Sequence, residues 1–505
     1  LRYDHKQGAL LVLIDDLIGY ISPKAGMKRL AYRQATELKK RKYEGAAKTK
    51  RTASWHTNST SANNENQGSI PILRDRARDL CRNNPYANRA KGLIATNIVG
   101  SGIMPNLGEG AFGEKWKEWS ETTACDYDGQ LTFAGIQKMV TEATVESGEI
   151  LVKRILVPND PVFPLKLQLI ESDMLPMDRV SLTKNNNNRI VQGIELNSKN
   201  QRVAYHLYDT HPGGVAEELI KSTFSTKRIP ERDIAHIFRQ DRPGQFRGVT
   251  WYHAVMIILK ELDEYQDAQL VRQKIASMFA GFVKDYEDNG LGDHDDAEDS
   301  DDFCNLSPGT IEELAPGKDI VFSNPPGVHD SYRDYISSVL HGIAAGLGVS
   351  YESLTGDLSE INFSSARMGW LEMHRNFECW RQTVINPKLN SKVYKWFSDV
   401  ALSQGLSQGF EKRVTWTSPK RDMIDPTKEV PAKIKAIRAG LISPSDAIRE
   451  QGKNPDDHFA QVAKDFEKMD TLGLVLDSDP RKVNSAGSAQ IEGDDSEKRN
   501  DTEAS

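Results

Sequence analysis

Apolar residues return every three or four positions along 252–280. Val255, Ile258, Leu259, Leu262, Tyr265 and Ala268 keep this rhythm without an intervening Gly or Pro, which predicts the longest clean helix of the chain. A second helix is expected over 330–346. Tyr332, Tyr335, Ile336, Val339 and Ile343 fall on one side, with Asp330, Arg333, Asp334, Ser337 and His341 elsewhere. A third runs from Ser364 to Phe397, and Pro387 is expected to kink or interrupt it, since proline lacks an N–H and crowds the preceding turn. Further helices are expected over Ile72–Leu80, Tyr86–Val99, 130–148 and 427–472, the last with a turn at Gly440 to Pro444. The first stops at Asn83-Asn84-Pro85 and the second at Gly100-Ser101-Gly102, where the chain leaves the α region. Alternating or β-branched runs predict strands at Ile150–Val157, Leu165–Ile170, Ile190–Leu196, Arg202–Tyr208 and Ile234–Phe238. Two short candidates follow at Thr310–Leu314 and Asp319–Phe322. Residues 70–250 therefore read as one α+β domain. Ser54 to Gly68 reads as a linker and Asn185–Asn188 as a loop tip. No period of 20–50 residues repeats.

The 505 residues allow roughly two to four domains. With 72 acids against 65 bases the net charge is −7. A generally basic nucleic-acid coat is excluded, and contact with DNA has to come from local patches. No spanning segment is expected. The most apolar stretch, Ala9 to Ile21, is broken by Asp15 and Asp16, whereas a spanning helix needs about 20 mostly apolar residues. The first residue is Leu1, and an initiator Met is expected to be missing. Residues 24–51 form a basic arm, in which Lys39, Lys40, Arg41 and Lys42 are consecutive and only Glu37 and Glu44 oppose the cations. It reads as a solvated helix face, a contact with DNA phosphate, or a contact with an acidic neighbour. From Asp477 the composition turns to Ser, Asp, Glu and Gly, the signature of disorder.

No phosphate-cradling G-x-x-x-x-G-K-[ST] loop, G-x-S-x-G elbow or H-E-x-x-H pair occurs. The eleven histidines show no i, i+4 pairing. Cys81, Cys125, Cys304 and Cys379 are far apart and read as reduced, buried thiols of a cytoplasmic product rather than a disulfide scaffold or metal knuckle. The acidic run 285–302 contains Asp293, Asp295, Asp296, Glu298 and Asp299. It reads as a solvated loop, a partner contact or a weak metal site. It lacks the Gly and Glu spacing of a calcium-binding loop. No catalytic residues, metal site or cofactor are expected. The profile suits a structural or assembly protein. The alternative is a metal-dependent nuclease using 285–302.

Several stretches, in order, resemble the lambda-type family of bacteriophage portal proteins. They are Arg76–Ala87 with Asn97–Ile103, Leu169–Asp173, Gly193–Leu196, Arg239–Val249, Pro325-Pro326, Gly348–Asp357 and Asn362–Arg367. The resemblance covers roughly 25–470. It implies an α+β, portal-like subunit with an α+β wing, two long stem helices, a small α/β clip and a helical crown, assembling into a ring of about twelve. Mapped here, 1–66 is the basic arm and linker, 67–250 the wing-like domain and 251–284 the first stem helix. The clip-like region with its acidic loop is 285–328, the second stem helix 329–347 and the tunnel loop 348–363. A long wing helix takes 364–400, a crown-like region 401–476 and a disordered tail 477–505.

The resemblance further implies a channel at one capsid vertex. It docks the terminase for genome packaging and later joins head to tail and conducts DNA out. Implied channel residues are Glu352, Ser353, Thr355, Asp357, Ser359, Glu360, Asn362, Arg333 and His341. Without the resemblance, 350–363 reads equally as an ordinary helix–helix loop. Leu358, Ile361 and Phe363 are its expected anchors. Arg367 is expected to pair with a neighbouring subunit's acid or locally. Trp370, Trp380 and Trp396 are expected in core packing rather than base stacking. Implied clip contacts with terminase or tail are Asp293, Asp295, Asp296, Glu298, Asp299, Glu312 and Glu313. Implied partners are copies of the chain, double-stranded DNA without sequence specificity, the terminase large subunit, major capsid or scaffold protein, and head–tail connector proteins, with no membrane. The implied location is the virion, after assembly in the host cytoplasm.

Overall fold

The computed structural model describes residues 59–107, 110–183, 188–214, 225–278, 282–285, 318–321, 331–359, 362–406, 414–420, 423 and 425–474, with a few isolated positions on either side. The chain divides into two compact units, Leu1–Ser61 and Ala62–Ser505. In the first, Lys24, Ala25, Met27 and Lys28 are helical and exposed. Most of the basic arm and the tail lie outside the described residues.

The second unit opens on helices α1 (Ala62–Asn83) and α2 (Pro85–Val99). Helix α1 takes in part of the expected linker, since Ala62–Gly68 is already helical. The side chain of Asn84 caps α2, accepting from the amides of Tyr86 (3.0 Å) and Ala87 (3.1 Å), and Pro85 starts the helix where its missing N–H costs nothing. After the two-residue strand β1 (Met104–Pro105) come α3 (Ala111–Glu121), which the periodicity did not reveal, and α4 (Phe133–Ser147). Strands β2 (Glu149–Leu156), β3 (Leu165–Glu171), β4 (Ser181–Leu182), β5 (Arg189–Val191), β6 (Ile194–Leu196), β7 (Arg202–Tyr208), β8 (Thr226–Pro230) and β9 (Ile234–Phe238) follow. The expected single strand Ile190–Leu196 is a hairpin, β5–β6. Gln192 (φ 52°) and Gly193 (φ 79°) both take left-handed backbone, as a two-residue hairpin turn of this hand requires.

Two antiparallel sheets result, ordered β3-β2-β9 and β4-β5-β6-β7-β8. Alternation along β2 sends Ile150 and Val152 into the main hydrophobic core and Leu151 into a smaller one with Ile194, Leu196, Tyr205 and Leu207. The three-stranded sheet is thus packed on both faces.

The chain then runs through α5 (Met256–Met278), the antiparallel pair β10 (Phe282–Asp285) and β11 (Lys318–Val321), α6 (Ser331–Leu347), the short α7 (Tyr351–Thr355) and α8 (Phe363–Trp380). The expected strand Thr310–Leu314 lies outside the described residues. Pro387 does not break the long helix. Arg381–Asn390 winds as a wider π-helical stretch and passes into α9 (Ser391–Ser403). There the amide of Ser391 reaches the carbonyl of Asn386, an i to i−5 bond, and such wide turns accommodate a residue that cannot donate. Strand β12 (Trp416–Thr417) pairs with β1. Helices α10 (Pro426–Arg438), α11 (Pro444–Arg449) and α12 (Pro455–Thr471) follow.

One hydrophobic cluster extends from Ala77 to Ala401. Its centre is aromatic, with Phe163 stacked on Phe397 (4.2 Å between centroids) and Trp116 edge-on to Phe397 (4.9 Å). Trp396 belongs to this core, and Trp380 lies against Trp251 at 4.6 Å. Cys81 and Cys125 are buried as expected, Cys304 lies outside the described residues, and Cys379 is exposed, because it sits on the outer side of α8.

Candidate functional site

The segment 348–359 is more ordered than a polar loop. Gly348 (φ 70°) ends α6. Ser350 caps α7, its hydroxyl accepting from the amide of Ser353 at 3.2 Å. Leu354 is fully buried and Val349 nearly so. Leu358, an expected anchor, is instead 69% exposed, because Leu354 already fills the inward position of the short helix. The side chains of Ile361 and Phe363 lie outside the described residues. Arg89 on α2 donates to the carbonyl of Ser353 at 2.9 Å, tying the segment to the core.

Five of the expected channel residues form one connected group. Asp357 accepts from the amide (3.0 Å) and hydroxyl (2.7 Å) of Ser359. Arg333 donates to the same hydroxyl at 3.1 Å. Thr355 accepts from the amide of Asp357 at 3.1 Å. The Tyr351 hydroxyl meets Asp357 at 3.5 Å, and the Tyr351 ring stacks on His341 at 4.1 Å and 3°. The bonds from Ser359 hold the Asp357 carboxyl below its ordinary range, so it is anionic at neutral pH. Glu352 and Ser353 are half-buried on α7. Asn362 caps α8, accepting from the Ser365 amide at 2.9 Å, a local structural use of that side chain. Glu360 lies outside the described residues, as do Asp293, Asp295, Asp296, Glu298, Asp299, Glu312 and Glu313. Arg89 and Tyr351 escaped the sequence reading. Tyr351 stood inside a recognised stretch, whereas nothing local marks Arg89. Arg367 has a local acid, Glu429, at 3.9 Å.

Helices α5 and α6 pack through Tyr265, which stacks on Tyr332 (5.9 Å) and meets Tyr335 edge-on (5.1 Å). Met256, Leu259 and Leu262 are buried. Ile257, Ile258, Leu270 and Val271 on the same helix are 40–65% exposed, and Tyr335 is 52% exposed. Helix α5 therefore leaves four large apolar side chains uncovered among the described residues.

A buried ion network fixes Arg247 and Gly248 at the end of the stretch Arg239–Val249. Arg247 donates to Glu149 at 2.7 Å and to the carbonyls of Leu175 and Gln192 at 3.1 Å each. Glu149 also accepts from the amide of Gly248 (2.8 Å) and meets His236 Nε2 at 2.9 Å. Arg202 approaches the other ring nitrogen of His236 at 3.2 Å. A guanidinium can only donate, so the neutral ring accepts there and donates from Nε2 to Glu149. Burial pushes the His236 pKa down to about 4. The Arg247 charge, with the His236 bond, outweighs burial and holds the Glu149 carboxyl well below its usual range. Gly248 is required here, since a Cβ would lie 2.1 Å from the carbonyl oxygen of Gly148.

Glu171, Asp173 and His211 bring ligand atoms within 4.8 Å of one another. The Arg78 guanidinium already binds both carboxylates, at 3.2 and 2.7 Å, and Arg74 binds Asp173 at 2.9 Å. The group is an ion-pair network rather than a vacant cation site. Among the described residues no helix is long and apolar enough to cross a membrane.

Comparison with known proteins matches residues 48–381 to the family model "Phage portal protein, lambda family". The probable portal protein of Halomonas phage phiHAP-1 is 27% identical over 465 residues, covering 86% of this chain and 88% of that one. Portal protein B of Escherichia phage lambda is 24% identical over 454 residues, covering 79% and 84%. A chain from the virion of a native gene transfer agent particle is 15% identical, covers 77% of this chain and 93% of that one, and superposes with a TM-score of 0.45.

Proposed function

The chain belongs to the lambda family of phage portal proteins, and from that premise we propose that about twelve copies close into a ring whose hole conducts double-stranded DNA at one capsid vertex. The observation that carries the ring is the set of large apolar side chains that α5 leaves in solvent, Ile257, Ile258, Leu270 and Val271, together with the exposed Tyr335 of α6. Exposed apolar positions gathered on one helix mark a surface that another protein covers. In a closed ring that protein is the next copy, which presents a complementary face. Helices α5 and α6 serve as the stem, the β10–β11 pair as the root of the clip, and α10 to α12 as the crown.

The segment 348–363 faces the channel. Its polar, hydrogen-bonded residues and the anionic Asp357 suit a surface that DNA slides past. Phosphates are weakly held where carboxylates outnumber cations, and a net charge of −7 per copy repels rather than grips a polyanion. Base readout has no place in such a channel, because every sequence of the genome passes. The chain is a conduit and adaptor without a catalytic role of its own. The clip receives the terminase large subunit during packaging and connector proteins afterwards, while the outer domain meets capsid or scaffold protein. Assembly takes place in the host cytoplasm, and the working location is the virion.

Electron microscopy of the purified full chain, viewed down the particle axis, tests the reading. Closed rings with a central hole wide enough for a duplex are expected. A chain that stays monomeric at every concentration and salt overturns it. So does metal-dependent DNA cleavage that disappears when 285–302 is deleted.

A further inference from the structure

A cavity of about 420 Å³ opens where β7, β9 and the π-helical stretch meet, and the ring and channel reading makes no use of it. Arg202 and Lys388 face it from opposite elements. Lys388 donates to the carbonyl of Phe238 at 2.6 Å and lies 3.9 Å from the centroid of the Phe238 ring. Arg202 sits 5.1 Å from the same centroid. The two charges therefore share one aromatic ring and lie no more than about 9 Å apart. Neither pairs with a carboxylate among the described residues. Arg202 is held by neutral acceptors only, the Tyr205 hydroxyl (3.3 Å), His236 Nδ1 (3.2 Å) and the Phe246 carbonyl (3.1 Å). The one carboxylate lining the cavity, Glu231, is taken by Lys392.

Two half-buried like charges without a counter-ion oppose each other. Burial, and then the Arg202 charge, push the Lys388 amine down to about 8. Lys388 keeps two of its three N–H donors free, and Arg202 keeps two of its five. We propose that the cavity binds a small oxyanion of the phosphate class between Arg202 and Lys388. A tetrahedral oxyanion offers acceptors in several directions, so it can meet the planar guanidinium fork and the ammonium point charge together. It also supplies the negative charge that the lining lacks. The π-helical turn around Pro387 is what carries Lys388 to this cavity, and such turns recur at binding sites.

Calorimetric titration of the full chain with inorganic phosphate, at constant ionic strength against chloride, reads the site directly. One saturable site per chain is expected. Lys388→Gln should weaken it about tenfold, the loss expected for one charge-assisted hydrogen bond. Lys388→Arg should restore it, and circular dichroism should show both variants folded. The amine of Lys388, followed by ¹³C NMR after reductive methylation, should titrate at higher pH with phosphate present. The charged or titratable groups facing it are Arg202 on β7, His236 on β9, Glu231 before β9 and Lys392 on α9. Heats that do not saturate, or that Lys388→Gln leaves unchanged, overturn the proposal. A short DNA duplex that binds with the same dependence on Lys388 while free phosphate does not would also overturn it, by assigning the cations to the nucleic-acid backbone.

Discussion

Arg247 is buried completely, and each of its three nitrogens finds an acceptor, among them Glu149, Leu175 O, Gln192 O and Ser172 O. Arg247→Leu would strand the Glu149 carboxylate in the core. Breaking a buried pair from one side costs about 3–5 kcal/mol, and denaturant unfolding should show a loss of that size. The same network makes stability depend on pH. His236 titrates near 4 in the fold, below its ordinary 6.5, so the unfolded chain binds the extra proton. Stability should therefore fall as pH drops from 6.5 towards 4, by at most about 1.4 kcal/mol per pH unit. Below the ordinary carboxylate range Glu149 adds a second loss, because its folded pKa is depressed. Thermal melts across this window should slope downward into acid, and His236→Gln should flatten the upper part. Among the thiols, Cys379 is exposed, while burial raises the Cys81 and Cys125 thiols to about 12. A maleimide read by mass spectrometry should label Cys379 quickly and reach Cys81 and Cys125 only on unfolding.

Among the elements, the long helix through Pro387 shows how a local rule is overridden. Arg381 at the start of the π stretch donates to the carbonyls of Ile98 (2.7 Å) and Asn97 (2.8 Å) at the end of α2. A cation at a helix C-terminus satisfies orphan carbonyls and complements the dipole. Within the same stretch, Asn390 accepts from Gln137 of α4 at 2.9 Å. These anchors hold the helix on course through the proline. Arg381→Leu leaves the buried Ile98 carbonyl and the half-buried Asn97 carbonyl unpaired, at about 1–3 kcal/mol for the buried one. Hydrogen exchange should speed up in the last turn of α2 before anywhere else. Unchanged protection there would show that the carbonyls find other donors.

For the whole molecule, the exposed apolar side chains of α5 decide whether copies associate. Val271→Asp and Leu270→Asp place charge where the proposed ring needs apolar contact. Since both positions are about half exposed, the fold should be retained, with stability changed by no more than about 0.5 kcal/mol. Light scattering should then report monomers or small oligomers in place of rings. Rings that form normally with both substitutions would move the interface elsewhere.

The helices over 252–280 and 330–346, the strands Leu165–Ile170 and Ile234–Phe238, and the family stretches were all legible in the linear order of residues, although Ile258 and Ala268 of the expected apolar stripe face solvent. Periodicity and turn chemistry are local properties, and short motifs survive where overall identity is low. The hairpin at Gln192-Gly193, the π-helical passage of Pro387 and the capped helix inside 348–359 were decided by packing, through the acceptors and apolar pockets that distant segments supply. The pairing of Glu149 with Arg247 spans 98 positions, and the cavity between Arg202 and Lys388 joins elements still farther apart. No spacing rule reaches across such distances. Residue order alone therefore determined most of the helices and strands and the family they serve. Tertiary structure decided which charges meet, which stay unpaired, and which apolar side chains of α5 are left exposed, because those outcomes depend on what is buried beside what.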